Sequence, residues 1–292
     1  MEIPANALFK PRDPESHKGN YGHGLLTAGS YGMAGAALMA ARACLRSGIG
    51  LLTVSTPECN RIILQTAVPE AMLKVNGEQC WESGPEHQES PATCTASLLN
   101  KYSAIAIGPG LGTSKHTAEA FFDFMTDIHN HSDSLPVILD ADALNIAATY
   151  NRLDLLKGTT ITPHPGEFDR LLNCYGQSYD KSKRAEQASE FALKYDCHVI
   201  LKGHATVVAA PDGKVSVNAN GNPGMATGGS GDVLTGILLA LSAQGLNAFD
   251  TARNGVFIHG LAGDIAAARF GQISMTATDI IDSLPEAFLR TI

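Results

Sequence analysis

Residues 25–55 open Leu25-Leu26-Thr27-Ala28, turn through Gly29-Ser30-Tyr31-Gly32-Met33-Ala34-Gly35, and run through alanine-rich sequence to Arg46. They then break at Ser47-Gly48 and resume as Gly50-Leu51-Leu52-Thr53-Val54-Ser55. A short apolar run closed by a glycine predicts a buried strand, here Leu25–Ala28. Ala36–Arg46 has the composition of a strong helix and a stop signal just past its end. Gly50–Ser55 reads as a second strand. Strand, helix and strand at this spacing make one βαβ unit, and hence a parallel sheet.

The same rhythm continues outward. Strands are expected at Ala104–Ile107, Pro136–Leu139, Thr159–Thr162 and His198–Leu201. Helices are expected at 57–66, Lys115–His129, Ala143–Ala148 and Lys181–Tyr195. Thr206–Ala210 and Val215–Val217 flank Pro211-Asp212-Gly213-Lys214, a turn sequence that predicts a hairpin. Beyond Gly221–Gly231 the pattern is helical, through Asp232–Ala243, Ala248–Arg269 and Ala277–Leu289. Residues 1–20 read as an irregular arm and Asn76–Pro91 as a polar surface excursion. No linker, repeat or composition shift divides the chain. The expectation is one α/β domain over residues 1–292, with helices on both faces of a mainly parallel sheet.

Composition bounds the function. The 292 residues carry 21 Lys+Arg against 29 Asp+Glu, a formal net charge of −8, with no basic run. That balance argues against general nucleic-acid binding, which needs a basic stripe. The longest apolar run, Val233–Ala243, is too short to cross a bilayer. No membrane partner is expected. Six cysteines lie scattered without a C-x-x-C pair, which fits a reducing compartment. The N-terminus lacks an apolar leader core. A cytoplasmic location is the resulting expectation.

Five successive strands end in loops of Gly, Pro, Asp, His or Lys, and open α/β sheets bind ligands at those ends. Thr227-Gly228-Gly229-Ser230-Gly231-Asp232 opens a helix. Uncovered backbone N–H groups and the helix dipole together favour an anion there. Asp232 in the first turn suits either a dipole complement or a general base beside a phosphoryl group. Lys202, ending a strand, could hold a nucleotide phosphate or stand in solvent. His164 lies between Pro163 and Pro165, which stiffen the loop and would suit a presented imidazole or a plain turn. Glu167 could cap the next helix or approach a metal. Asp140 and Asp142 could share Mg²⁺, but Asp142 as N-cap of Ala143–Ala148 is the favoured role. No metal ligand is assigned. His259, inside a helical stretch, reads as a packing residue. No Walker A, G-x-G-x-x-G, H-E-x-x-H or G-x-S-x-G pattern occurs.

The motifs taken together resemble one family, the NAD(P)H-hydrate dehydratases of the ribokinase-like superfamily. They are His17–Gly22 (HKGNYG), Gly29–Ala37 (GSYGMAGAA), Gly108–Gly112 (GPGLG), Asp140–Asn145 (DADALN), Thr162–Glu167 (TPHPGE), Lys202–Thr206 (KGHAT) and Asn222–Asp232 (NPGMATGGSGD). They follow the family's order across nearly the whole chain, and TPHPGE with a downstream G-G-S-G-D is highly specific. The resemblance implies a three-layer α/β/α ribokinase-like fold. It implies a nucleotide-driven, Mg²⁺-dependent dehydration of (6S)-NADHX or (6S)-NADPHX, through phosphorylation of the C6 hydroxyl and loss of phosphate. ADP or ATP would be the donor, ADP by analogy with stand-alone microbial members.

By position, the resemblance makes Asp232 the base and places Gly229, Ser230 and Gly231 in the anion hole. Lys202, Gly203, His204, Ala205 and Thr206 would touch the nucleotide. Ala36, Ala37, Gly110, His164 and Asp232 would line the hydrate pocket. A homo-oligomer, a tetramer by analogy, and an epimerase acting on the (6R) hydrate are the partners implied. The epimerase domain that often precedes this one in the family is expected to be absent, since the motifs begin at His17. A ribokinase-like kinase for a vitamin-precursor alcohol shares the glycine loop and is the alternative. A non-catalytic nucleotide-binding subunit and a dehydrogenase stand further off.

Overall fold

The computed structural model describes residues 12–82, 99–131 and 134–291. Within them the strands are β1 (His23–Thr27), β2 (Leu51–Thr56), β3 (Met72–Val75), β4 (Ala104–Ile107), β5 (Val137–Leu139), β6 (Thr160–Ile161), β7 (His198–Leu201), β8 (Val207–Ala209) and β9 (Val215–Val217). The helices are α1 (Ala34–Arg46), α2 (Arg61–Ala67), α3 (Lys115–His131), α4 (Asp142–Thr149), α5 (Pro165–Asn173), α6 (Arg184–Tyr195), α7 (Ser230–Ala243), α8 (Ala248–Ser274) and α9 (Ala277–Leu289).

One nine-stranded sheet results, in the order β3-β2-β1-β4-β5-β6-β7-β8-β9. The first seven strands are parallel, and β8 and β9 add an antiparallel hairpin at the far edge. The mainly parallel α/β/α layering read from the sequence is therefore present.

Period-two alternation sends neighbouring residues of each strand into opposite layers. Leu25, Ile105, Ile107, Leu139, Val199 and Leu201 join Phe121, Phe124, Phe168 and Phe191 of α3, α5 and α6. Leu26, Ala104, Ala106, Ile138 and Ile200 face Ala37, Ala40, Leu234 and Leu238 of α1 and α7. On β4 the second face is all alanine, so helices approach closely there. α7 is buried on all sides from Val233 to Ala243, because α8 and α9 form a further cluster outside it. A helix apolar all round suits that position. Gly236 makes the closest contact: a Cβ there would lie 2.1 Å from the Ala40 carbonyl oxygen.

Several local expectations are corrected. The arm is not irregular throughout: Lys18–Tyr21 forms a 3-10 turn with His17 as its cap. That turn is docked, since the Gly50 N–H donates to the Tyr21 carbonyl. Residues 1–11 lie outside the described residues. The helix expected at 57–66 is a 3-10 turn, Glu58–Asn60, running into α2. The edge strand β3 went unforeseen. The excursion from Asn76 is not superficial at its start, because Asn76 and Trp81 are fully buried. Its remainder from residue 83 lies outside the described residues. Gly271, at φ +75°, interrupts α8 close to the expected end at Arg269.

Helix propensity alone would favour alanine over Gly236 by about 1 kcal/mol. The contact with Ala40 opposes this, so Gly236→Ala is expected to destabilise by about 3 kcal/mol, the upper range for overpacking. The urea unfolding midpoint gives the sign directly, and a rise would refute the close approach of α1 and α7.

Candidate active site

Loops from the carboxyl ends of β1, β4, β5, β6 and β7 meet around the start of α7. Glycines make the crossings possible. The Gly29 N–H donates to the Pro109 carbonyl at 2.8 Å, and the Ser30 hydroxyl donates to the Gly110 carbonyl at 2.9 Å. Gly108, at φ +135°, lets its backbone pass against the Asp140 carbonyl, where a Cβ would stand at 1.8 Å. The Lys202 N–H donates to the Pro163 carbonyl at 2.9 Å, tying the β6 and β7 loops.

Asp140, at the end of β5, is 1% exposed and fully engaged. Its Oδ1 accepts from Thr162 Oγ1 at 2.6 Å and from Lys202 Nζ at 2.7 Å. Its Oδ2 accepts from Thr235 Oγ1, in the second turn of α7, at 2.7 Å. Burial works to raise the Asp140 pKa, but the Lys202 charge and these hydrogen bonds outweigh it and hold the carboxyl below its usual range. Lys202 Nζ also stands 3.9 Å from Glu167 Oε2. Burial would lower its pKa, but Asp140 and Glu167 keep it above the ordinary lysine value.

The start of α7 faces this cluster. Gly229 takes a left-handed conformation, φ +91°, against Met39 and Ala277. The first α-helical bond is from the Val233 N–H to the Gly229 carbonyl. The N–H groups of Gly231 and Asp232 therefore have no carbonyl a turn behind them and open toward the site. A Cβ on Gly231 would lie 3.4 Å from Lys202 Nζ, so the ammonium sits directly beside this N-terminus. Asp232 is partly buried. Desolvation first, then the charge of Asp140, push its pKa up to about 7 despite the opposing pull of Lys202. A carboxyl with that pKa can take a proton near neutral pH.

The other expected residues fall as follows. Ala36 and Gly110 are brought together, since a Cβ on Gly110 would meet the Ala36 methyl at 2.9 Å. Ala37 is fully buried, its methyl against Gly29. A pocket of about 380 Å³ opens beside them, lined by Tyr31, Gly35, Cys59, Asn60 and Ile63 among others. His164 caps α5: its Nδ1 accepts from the Gly166 and Glu167 N–H groups at 3.0 and 3.3 Å. Nδ1 is thus occupied and Nε2 carries the hydrogen, 3.4 Å from Glu167 Oε1. Glu167 completes the box by accepting from the His164 N–H at 2.7 Å, the capping role among its two options. Gly203 and Ala205 both have positive φ, and His204 is exposed. The Thr206 hydroxyl donates to the Gly203 carbonyl. Ser230 is buried at the first position of α7.

Asp142 is not the cap of α4; Ala141 stands there at φ +50°. Asp142 instead accepts from the Gly112 N–H at 2.8 Å, fastening the GPGLG loop. His259 is not a mere packing residue: its Nε2 lies 3.3 Å from Ser230 Oγ. Sequence reasoning also missed Arg184, whose guanidinium donates to the carbonyls of Leu201, Lys202 and His204 and braces the KGHAT loop. It missed Thr235, whose signal was a hydroxyl early in the apolar run Val233–Ala243.

Comparison with known proteins places this geometry. A family model described as NAD(P)H-hydrate dehydratase matches residues 25–286. The bifunctional NAD(P)H-hydrate repair enzyme of Moorella thermoacetica is 39% identical over 94% of this chain and 50% of its own length. The chain spans about half the length of the bifunctional relatives it matches. The crystal structure of the ADP/ATP-dependent NAD(P)H-hydrate dehydratase from Bacillus subtilis, co-crystallized with ATP/Mg²⁺, is 33% identical. It superposes with a TM-score of 0.79 over 97% of this chain and 95% of that one. A Thermotoga maritima ribokinase, 12% identical with a TM-score of 0.57 over 92% and 99%, shares the fold alone.

Two outcomes test the electrostatics. Removing one member of a buried pair leaves an uncompensated charge, so Lys202→Met is expected to cost about 3–5 kcal/mol in chemical denaturation. Asp232 has the opposite sign. Its pKa rises from 3.8 unfolded to about 7 folded, so the folded state binds the proton more tightly. Stability is then lost as pH rises between those values. Asp232→Asn should therefore stabilise the protein at pH 8 by about 1–3 kcal/mol and change nothing at pH 3. Denaturation curves at the two pH values check this, and equal effects at both would refute the raised pKa.

Proposed function

The chain belongs to the NAD(P)H-hydrate dehydratase family, and we propose that it converts (6S)-NADHX or (6S)-NADPHX back to NADH or NADPH at the expense of ADP or ATP. The observation that carries the reading is Asp232 itself. It is a carboxyl with a pKa of about 7 in the first turn of a helix whose N-terminus is opened by glycines.

In this reading Asp232 takes the proton from the C6 hydroxyl as that oxygen attacks the terminal phosphorus of the nucleotide. The N–H groups of Gly231 and Asp232 receive the phosphoryl oxygens, with Gly229 and Ser230 shaping the hole and Lys202 adding positive charge beside it. Gly203, His204, Ala205 and Thr206 line the nucleotide, on a loop that Arg184 braces from behind. Ala36, Ala37 and Gly110 border the hydrate, which His164 meets as an Nε2–H donor. The C6–O bond then breaks with phosphate as leaving group, driven by the ring nitrogen lone pair, and loss of the C5 proton forms the C5=C6 double bond. One nucleotide is cleaved and no redox change occurs.

Mg²⁺ would supply positive charge against the phosphate oxygens. Among the described residues no group of three acidic, His or Cys side chains is placed to cage a metal, and Asp140 is spent on its three partners. Mg²⁺ habitually keeps waters and binds through one or two carboxylates plus substrate phosphates. The residues present fit that pattern, with Asp142, whose charge is felt at Asp232, as the carboxylate that would hold the ion through water. A homo-oligomer, an epimerase supplying the (6S) hydrate, and a cytoplasmic setting complete the proposal. In support of the last, no helix among the described residues is long and apolar enough to cross a membrane.

The test mixes the protein with (6S)-NADHX, Mg²⁺ and either ADP or ATP, and follows dihydronicotinamide absorbance with phosphate release. Stoichiometric recovery is expected, rising with pH through about 7 as Asp232 ionises. Asp232→Asn should lower the rate by about 10²–10⁴-fold, the usual contribution of a general base. No recovery with either nucleotide would reject the reading and point to an alcohol kinase that leaves a stable phosphate ester.

A further inference from the structure

The glycine loop that leads into α7 is fastened to α8. Asn220 Nδ2 donates to the Phe257 carbonyl at 2.8 Å. Asn222 Nδ2 donates to the Gly263 carbonyl at 2.9 Å and to Asp264 Oδ1 at 3.0 Å. Asp264 Oδ2 accepts from the Gly221 N–H at 3.0 Å. Gly260 and Gly263 leave room, since a Cβ at either would lie 2.1–2.3 Å from Asn220 or Met225. These fastenings all act on the loop upstream of the helix. One side chain on the same face reaches the helix start itself: His259, with Nε2 3.3 Å from Ser230 Oγ.

We propose that His259 is a positioning residue for the nucleotide: its imidazole holds the Ser230 hydroxyl in place at the first turn of α7, where the phosphate oxygens would be received. The proposal rests on the reading of that N-terminus as the nucleotide site.

Three features support this role. Ser230 is the first residue of α7, and among the described residues its hydroxyl has no other hydrogen-bond partner that competes for this bond. An unrestrained serine in a helix's first turn would turn its hydroxyl onto nearby backbone groups, competing with an incoming anion. Burial, with Lys202 adding to it, holds the His259 pKa down at about 4, while an interaction with the Ser230 backbone pulls it part of the way back. The imidazole remains neutral at working pH, so it orients the hydroxyl without adding a charge of its own.

The test is ADP binding by calorimetry with Mg²⁺ and without hydrate, on five proteins: wild type, His259→Met, His259→Gln, Ser230→Ala and the double variant Ser230→Ala/His259→Met. Methionine keeps most of the volume and removes the ring hydrogen bond; glutamine restores a donor. His259→Met is expected to weaken ADP about tenfold, with kcat at saturating nucleotide changed less than about threefold. His259→Gln should recover to within about threefold of wild type. On the Ser230→Ala background, His259→Met should weaken ADP no further. A purely structural role would leave its full penalty on that background. An unchanged affinity in His259→Met, or the same tenfold loss in both backgrounds, overturns the inference. Should His259→Met fail to fold, Ser230→Ala decides: weakening of at least about threefold supports it, and wild-type affinity overturns it. Failure of wild type itself to bind ADP would instead reject the nucleotide site on which the inference rests.

Discussion

A carboxylate buried at the end of a central strand must have its charge answered, and the answer given to Asp140 organises the molecule. Lys202 comes from β7, Thr162 from β6 and Thr235 from α7. Four elements are thus brought into register by one side chain that has no contact with solvent to fall back on. Such a pair is weak support for net stability, because desolvation offsets much of its Coulombic gain. Its consequence is geometric. The bond from Thr235 sets how α7 is rotated over the sheet, and Thr235 is one helical turn beyond the residues that open the site. The Lys202 ammonium is drawn to Asp140 and so comes to rest beside the N-terminus of α7.

Close packing supplies the other coordinate. The β4 face under α7 is alanine, Gly236 meets the backbone of α1, and Gly229 fits against Met39. Larger residues would lift α7 away from the sheet and from Asp140 together. The polar hub and the small-residue contacts therefore constrain the same degree of freedom, the height and rotation of one buried helix. The glycine-opened N-terminus is the less buried end of an element fixed along nearly its whole length.

Much of this was legible in the sequence wherever the signal was local. Short apolar runs closed by turn-forming residues marked eight of the nine strands among the described residues, because a buried strand needs no more than a short apolar stretch and a stop. The strand-end motifs were legible for the same reason. β3 was not, because Met72–Val75 is an edge strand with a mixed, half-exposed pattern. Asp142 was misread because DADAL has the local form of a cap, while its real partner, Gly112, is thirty residues away. Thr235 and Asp140 are 95 residues apart, Arg184 and His204 twenty, and no local pattern announces such pairs. His259 was read as packing because a histidine in a helix gives no sign of which loop will cross it.

Asp140 and Asp232 show what those long-range pairs decide. Both are aspartates, both are largely withdrawn from water, and both lie within the field of the single Lys202 charge. Asp140 takes the ammonium and two hydroxyls at hydrogen-bond distance and stays ionised. Asp232 receives only the residual field of Lys202, against which the Asp140 charge and its own desolvation act, and its pKa stands near neutrality. One cation divided unequally between two carboxyls thus separates a structural anion from a group able to exchange a proton. Environments that push like groups apart in pKa are how a site assigns acid and base roles. Here the division follows from which carboxyl the sheet places at the end of β5 and which one the start of α7 carries.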